Sequence, residues 1–287
     1  MTLELPIRLE NGHKGTFGSV CVIGGQRSED GSVMIGAPSL TANAAMRSGC
    51  GKVMLAMPQQ LLQSGLSMAP VATGIELPVD EVGRLIPSAA IEAIDRHAAG
   101  CRCIAIGPGF GSEWAQQQII ATLLSREDRP IVLDADGLNA LAKLASGQLE
   151  LRAPTIMTPH IGEYKRLAEV MGIKDRAPQA LAQAYGCLVV LKSDVTEISD
   201  GVRTEREEGG SVVLATGGTG DVLTGIIAGL LSQYGMNCIE HLFDASVLAV
   251  RVHALAGKQF ADEHGSTGML ATDLLERIPS AIHSLRN

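Results

Sequence analysis

The chain alternates short stretches that are apolar at nearly every position with longer ones in which apolar residues recur at helical spacing. Apolar runs closed by Gly, Pro or Asp are the mark of strands buried on both faces. They predict strands at residues 19–23, 52–56, 103–106, 131–133, 155–157 and 188–191. The helical spacing predicts helices at 36–48, 88–97, 112–125, from the 158–163 loop to about 171, at 220–232, 239–262 and 271–278, with a short one after 134–139. Asp200-Gly201 reads as a hairpin turn between 196–199 and 202–205. Residues 58–82 mix Met and Pro without either period and predict no element. Strands alternating with helices imply an α/β fold with a central, mostly parallel sheet covered on both faces, in a single domain over residues 1–287.

Residues able to do chemistry gather where the strands end. Strand 103–106 opens into Gly107-Pro108-Gly109-Phe110-Gly111, 131–133 into Asp134-Ala135-Asp136-Gly137-Leu138-Asn139, and 155–157 into Thr158-Pro159-His160-Ile161-Gly162-Glu163. Strand 188–191 delivers Lys192, and Gly217-Gly218-Thr219-Gly220-Asp221 opens the apolar helix that follows. Ligands of parallel sheets sit beyond the carboxyl ends of the strands, so these five loops converge on one edge.

The glycines of 217–220 let backbone amides turn toward an anion at a helix start, where phosphate is the expected occupant. Asp221 beside them suits either a helix cap or a general base placed between a hydroxyl and a transferable phosphoryl group. His160 suits a hydrogen-bonded loop residue or a ligand contact. Glu163 suits a cap or an oxygen ligand that reaches magnesium through water. Lys192 is costly to bury unpaired, so it is either exposed or faces an anion. Asp134 and Asp136 fit an Asx turn and substrate hydroxyls equally well.

Two common nucleotide motifs are excluded. Gly49-Cys50-Gly51-Lys52 is followed by Val53, and Met46 stands where a P-loop needs its first glycine. The glycines of 107–111 have the wrong spacing for a dinucleotide fingerprint and do not follow the first strand.

Composition narrows the class further. With 46% hydrophobic and 3% aromatic residues, the core is built from Val, Ile, Leu and Ala. A formal net charge of -8 argues against a nucleic-acid partner. No apolar run approaches the roughly 20 residues of a membrane helix, so no membrane partner is expected. Cys21, Cys50, Cys101, Cys103, Cys187 and Cys238 are scattered through apolar runs and read as reduced core thiols. Cys101-x-Cys103 has no second pair at zinc spacing. The N-terminal residues lack an apolar h-region, so no signal peptide is expected and the cytoplasm is the expected location.

Taken in order, the motifs resemble those of the ADP/ATP-dependent NAD(P)H-hydrate dehydratases, a family of the ribokinase-like superfamily. The resemblance runs through Gly15-Thr16-Phe17-Gly18-Ser19-Val20, Val22-Ile23-Gly24-Gly25, Gly36-Ala37-Pro38 and Arg47-Ser48-Gly49-Cys50-Gly51. It continues through 106–111, 132–141, 158–167, 192–196, 217–231, His253-Ala254-Leu255-Ala256-Gly257 and Met269-Leu270-Ala271-Thr272-Asp273.

The resemblance implies a ribokinase-like three-layer αβα sandwich and repair of hydrated nicotinamide cofactor. Substrates would be NADHX or NADPHX, the hydrates of NADH and NADPH, with ADP or ATP as phosphoryl donor. Asp221 would be the catalytic base. Hydrate contacts would come from Ala37, Gly109, His160 and Asp221, and nucleotide contacts from Lys192, Ser193, Asp194, Val195, Thr196 and Gly220. Gly217, Gly218, Thr219 and Gly220 would form the anion hole, and Glu163 would reach Mg2+ through water. The resemblance also implies a homo-oligomer, a tetramer, and an epimerase that here would be a separate chain, since only residues 1–14 precede the matching region.

This chain departs from many members at Met34, where they have tyrosine, and at Ser193, where they have glycine. The alternatives are a vitamin-precursor kinase of the same superfamily, which would carry Asn-x-x-Glu in place of His160 to Glu163, and a catalytically silent nucleotide-binding protein.

Overall fold

The computed structural model describes residues 3–126, 129–144 and 149–286, with residues 236–239 described by their backbone. Nine strands form one sheet: β1 (Ser19–Ile23), β4 (Lys52–Pro58), β5 (Thr73–Leu77), β6 (Cys103–Ile106), β7 (Ile131–Leu133), β8 (Thr155–Met157), β9 (Leu188–Leu191), β10 (Thr196–Ser199) and β11 (Thr204–Glu207). A separate ribbon pairs β2 (Gln26–Arg27) with β3 (Val33–Met34).

The sheet order is β11-β10-β9-β8-β7-β6-β1-β4-β5. Every pair from β9 to β5 is parallel, while β10 and β11 close one side antiparallel. From β1 the chain builds outward through β4 and β5, then returns to β6 on the other side of β1 and builds the opposite way. The reversal places a topological switch point between the carboxyl ends of β1 and β6, where such sheets leave a ligand crevice.

The strand side chains divide the core in two. Val20, Val22, Leu55, Ala105, Val132 and Val190 face one cluster with helices α1 (Gly36–Arg47), α2 (Gln59–Met68), α8 (Thr219–Leu231), α9 (Leu242–His264) and α10 (Ala271–Arg286). Cys21, Ile23, Ile104, Ile106, Leu133 and Val189 face the other, with α3 (Pro87–Ala98), α4 (Trp114–Leu124), α5 (Asp136–Lys143), α6 (Ile161–Val170) and α7 (Pro178–Tyr185). Because both faces are covered, the strands are apolar without alternation. The result is the expected three-layer αβα sandwich.

Helix α8 is the inner helix of its layer, with eleven of its residues buried. Its close approach to α1 depends on Gly225 and Gly229. A Cβ at Gly225 would stand 2.3 Å from the Thr41 carbonyl oxygen, and one at Gly229 would stand 2.6 Å from that of Ala45. Thr41 Oγ1 also donates to the Asp221 carbonyl at 3.0 Å, which ties the two helices together beside the switch point.

The structure departs from the sequence expectations in several places. Residues 58–82 contain α2 and β5, whose short apolar faces (Leu61, Leu62; Ile75, Leu77) become legible only against β4. Helix α7 lies where the spacing predicts no element, and buries only Pro178, Leu181 and Ala182. The hairpin turn is longer than two residues: Asp200 Oδ1 accepts from the Val202 and Arg203 amides, which pushes the second strand to 204–207. Helix α10 runs through Pro279 to Arg286 because Ile278 and Ala281, on either side of the proline, are both fully buried. Cys21, Cys50, Cys101 and Cys187 are free and buried, as expected, Cys103 is buried as well, and the Cys238 side chain lies outside the described residues. Among the described residues no helix is long and apolar enough to cross a membrane.

Candidate active site

The strand-end loops meet as the topology requires. Gly25 N donates to Pro108 O at 3.2 Å, which joins the loops after β1 and β6. A Cβ at Gly109 would lie 3.5 Å from Ala37 Cβ and 3.1 Å from Met34 Cβ, so Ala37 and Gly109 share one wall with the Met34 position. Lys192 N donates to Pro159 O, and a bridge links His160 to Lys192, joining the ends of β8 and β9.

The opposite wall is the start of α8. Gly218 caps this helix with φ +94° and ψ -15°, a left-handed conformation that favours glycine. The Thr219 amide donates to Thr216 O at 3.4 Å, which leaves the amides of Gly220 and Asp221 in the first turn without an intrahelical acceptor, at the positive end of the helix dipole. Thr219 turns its hydroxyl back to Leu214 O and Thr216 O, and its carbonyl lies 2.9 Å from His253 Nε2 on α9. Burial pushes the His253 pKa down to about 4, so the ring is neutral and its Nε2–H can donate to that carbonyl.

The charged residues form one cluster between these walls. Lys192 Nζ lies 2.7 Å from Asp134 Oδ1, and Thr224 Oγ1 donates to Asp134 Oδ2 at 2.7 Å. The Lys192 ammonium also stands 3.3 Å from where a Cβ of Gly220 would be. Burial opposes its charge, but the carboxylates of Asp134, Glu163 and Asp221 outweigh that and hold its pKa above the usual lysine value. The Asp221 carboxylate accepts no hydrogen bond among the described residues. Burial, then the charge of Asp134, pushes its pKa up to about 7 against the opposing pull of Lys192.

His160 and Glu163 act as a capping box for α6. His160 Nδ1 accepts from the Gly162 and Glu163 amides, and Glu163 Oε2 accepts from His160 N at 2.8 Å. The second Glu163 oxygen lies 3.3 Å from His160 Nε2. Burial pushes the Glu163 pKa up to about 7. Burial, reinforced by Lys192 and Arg166, lowers that of His160, whose ring still reaches the surface.

The expected site residues therefore separate by environment. His160, Glu163, Lys192, Gly220 and Asp221 converge on the cluster, and Ala37 and Gly109 meet on the adjoining wall. Ser193 and Asp194 are exposed on the turn from β9 to β10, with Val195 and Thr196 half-buried behind them. Asp136 does not join Asp134: its Oδ2 accepts from Gly111 N and bridges α5 to the 107–111 loop.

The sequence reading missed Thr224 and His253 as parts of this site. A signal for Thr224 existed, since it is a hydroxyl within an otherwise aliphatic helical run. Among the described residues, no three Asp, Glu, His or Cys side chains are arranged to hold a metal. A 410 Å3 cleft bounded by Leu141, Leu151, Met171 and Tyr185 lies elsewhere, and among the described residues Glu150 and Tyr185 are its titratable lining groups. The chemistry is at the strand ends.

The family model for NAD(P)H-hydrate dehydratase matches residues 20–280. The chain is 35% identical to the ADP-dependent (S)-NAD(P)H-hydrate dehydratase of Neisseria meningitidis, over 98% of this chain and 88% of that one. It spans about half the length of several bifunctional NAD(P)H-hydrate repair enzymes that it also matches, among them that of Salinibacter ruber.

Among the solved structures similar over 98% of this chain are two of particular interest. One is a ribokinase-like superfamily protein of Enterococcus faecalis (TM-score 0.79, 25% identity, 92% of that chain). The other is the ADP/ATP-dependent NAD(P)H-hydrate dehydratase of Bacillus subtilis co-crystallized with ATP and Mg2+ (TM-score 0.75, 30% identity, 94% of that chain). With its ribokinase-like sheet, its glycine-started inner helix and its charged cluster at the switch point, the chain belongs to the NAD(P)H-hydrate dehydratase family.

Proposed function

We propose that this protein dehydrates the S form of NAD(P)H hydrate to NAD(P)H, using ADP or ATP as phosphoryl donor and releasing AMP or ADP with phosphate. The observation that carries the reading is Asp221. It is a carboxylate without a hydrogen-bond partner among the described residues, its pKa pushed up to about 7, on a helix turn whose Gly220 and Asp221 amides and neighbouring Lys192 suit a phosphoryl group. A base titrating near neutrality is matched to taking a proton from an alcohol at physiological pH.

The hydrate hydroxyl is a poor leaving group, and phosphorylation corrects this. Asp221 accepts the hydroxyl proton as that oxygen bonds to the terminal phosphorus and the bond to the departing nucleotide breaks. The amides of 217–220 and the Lys192 ammonium stabilise negative charge that grows on the phosphoryl oxygens, an interaction stronger in the transition state than before it. The ring nitrogen then expels phosphate, and loss of a proton from the adjacent carbon restores the ring double bond. Ala37, Gly109 and His160 would line the nicotinamide side, and Lys192, Ser193, Asp194, Val195, Thr196 and Gly220 the nucleotide side.

Glu163 has both oxygens near His160 and, among the described residues, belongs to no three-ligand cage, which fits an ion reached through water rather than one held directly. Bound there with the nucleotide, Mg2+ would neutralise phosphate charge. We also read the protein as cytoplasmic, in keeping with its buried cysteine side chains, and as a homotetramer.

The test mixes chemically hydrated NADH or NADPH with the protein, Mg2+ and either ADP or ATP, and follows dihydronicotinamide absorbance. Recovery with one nucleotide identifies the donor. Absence of recovery with both, for both hydrates, overturns the reading.

A further inference from the structure

The most constrained residue of the cluster is the carboxylate of Asp134. It is 1% exposed and has each oxygen engaged at 2.7 Å, one by Lys192 from β9 and one by Thr224 from α8. A carboxylate wedged between two elements in this way fixes both. It is delivered by the backbone of Ala135, the one non-glycine residue of positive φ among the described residues (φ +49°, ψ -119°). An L-residue in that region is strained by about 1–3 kcal/mol, and such strain persists where the surroundings over-determine it. The turn lets Asp134 point inward while Asp136, two residues on, points to Gly111 N.

We propose that Asp134 is a positioning residue for phosphoryl transfer: anchored to α8 by Thr224, it holds the Lys192 ammonium against Gly220 at the anion-binding turn and so fixes the Lys192–Asp221 separation. The inference rests on the dehydratase reading for its chemistry, but the geometry it describes belongs to the resting protein.

Two consequences follow. A lysine left free would swing toward solvent or pair directly with Asp221, which would quench the base. Held by Asp134, it remains available to a phosphate while Asp221 keeps its basicity. The groups that face Asp221 are Asp134 from the end of β7, Asp136 from α5, Glu163 from α6 and Lys192 from the end of β9. His253 of α9 is neutral and contacts the same turn through Thr219. The negative charge of Asp134 disfavours ionisation of Asp221, and the positive charge of Lys192 favours it, so removing either charge moves Asp221 in opposite directions.

The experiment is a carboxyl-carbon NMR titration of protein labelled at aspartate, with Asp221 assigned by its loss in Asp221→Asn. Asp134→Asn lowers the Asp221 midpoint by about one pH unit and Lys192→Met raises it by about one. Thr224→Val keeps both charges but releases the anchor, so by calorimetry its Kd for ADP rises about fivefold, the effect of one lost hydrogen bond.

Midpoints that move in the same direction, or an unchanged Kd in Thr224→Val, overturn the proposal. If Asp134→Asn fails to fold, the upward shift in Lys192→Met and the ADP affinity of Thr224→Val decide it. Hydrate turnover by the wild-type protein with ADP and with ATP tests the dehydratase reading separately, since the NMR midpoints do not depend on it.

Discussion

At the scale of single residues, Asp221 separates two roles that one sequence position allowed. A capping aspartate bonds amides of its own helix, whereas here Gly218 is the cap and the Asp221 carboxylate is left without a hydrogen-bond partner among the described residues. On the proposed mechanism Asp221→Asn keeps ADP affinity close to wild type and lowers hydrate turnover by roughly a hundredfold or more, because the proposed base is removed and the amides are left. Steady-state kinetics with calorimetry on one preparation checks both halves. In the wild-type enzyme kcat/KM rises with pH up to about 7, since the reacting form is the ionised one. Ala135→Gly relieves the strained turn and raises stability by about 1 kcal/mol, a smaller gain than the strain because glycine also loses more freedom on folding. A urea midpoint measures it.

At the scale of elements, the inner helix depends on residues that are not there to be seen. Gly225→Ala improves helix propensity by up to about 1 kcal/mol, yet its methyl would press on the Thr41 carbonyl and Ala44 Cβ, backbone and core that cannot yield cheaply. The variant loses about 1–3 kcal/mol net in urea unfolding. It also loses turnover, because Thr41 carries the bond to Asp221 and moves with α1. The other element-level device is the capping box of α6. His160→Ala removes an acceptor for two amides and costs about 1 kcal/mol of stability apart from any effect on substrate. A separate loss in KM for the hydrate identifies the contact role.

For the whole molecule, gathering carboxylates at one sheet edge has a thermodynamic cost. Asp221 and Glu163 are pushed up to about 7 from ordinary values of 3.8 and 4.5, chiefly by burial. Between those values the folded protein keeps protons that the unfolded chain has released. The protonated forms stabilise the fold below about pH 4, and their contribution is lost as pH rises to about 7 and is constant above it. Thermal unfolding of the ligand-free protein across pH 4–8 shows this fall, and Asp221→Asn makes it shallower. A slope unchanged by that variant means that Asp221 is ionised throughout.

Much of this architecture could be read from residues alone. The strands came from runs that only a doubly covered sheet requires, and the site edge came from counting which strands end in Asp, His, Gly or Lys. Local patterns of that kind record burial and turn chemistry directly. What they do not record is pairing. That Lys192 neutralises Asp134, that Thr224 holds its other oxygen, and that Asp136 serves a different loop are decided by which strand lies beside which, at sequence separations of 58 and 90 residues for the first two. The sequence by itself determined the fold class, the family and the catalytic candidates. Tertiary structure alone decided which charges meet, and hence that Asp221 titrates near neutrality, because burial and charge act through space and not along the chain.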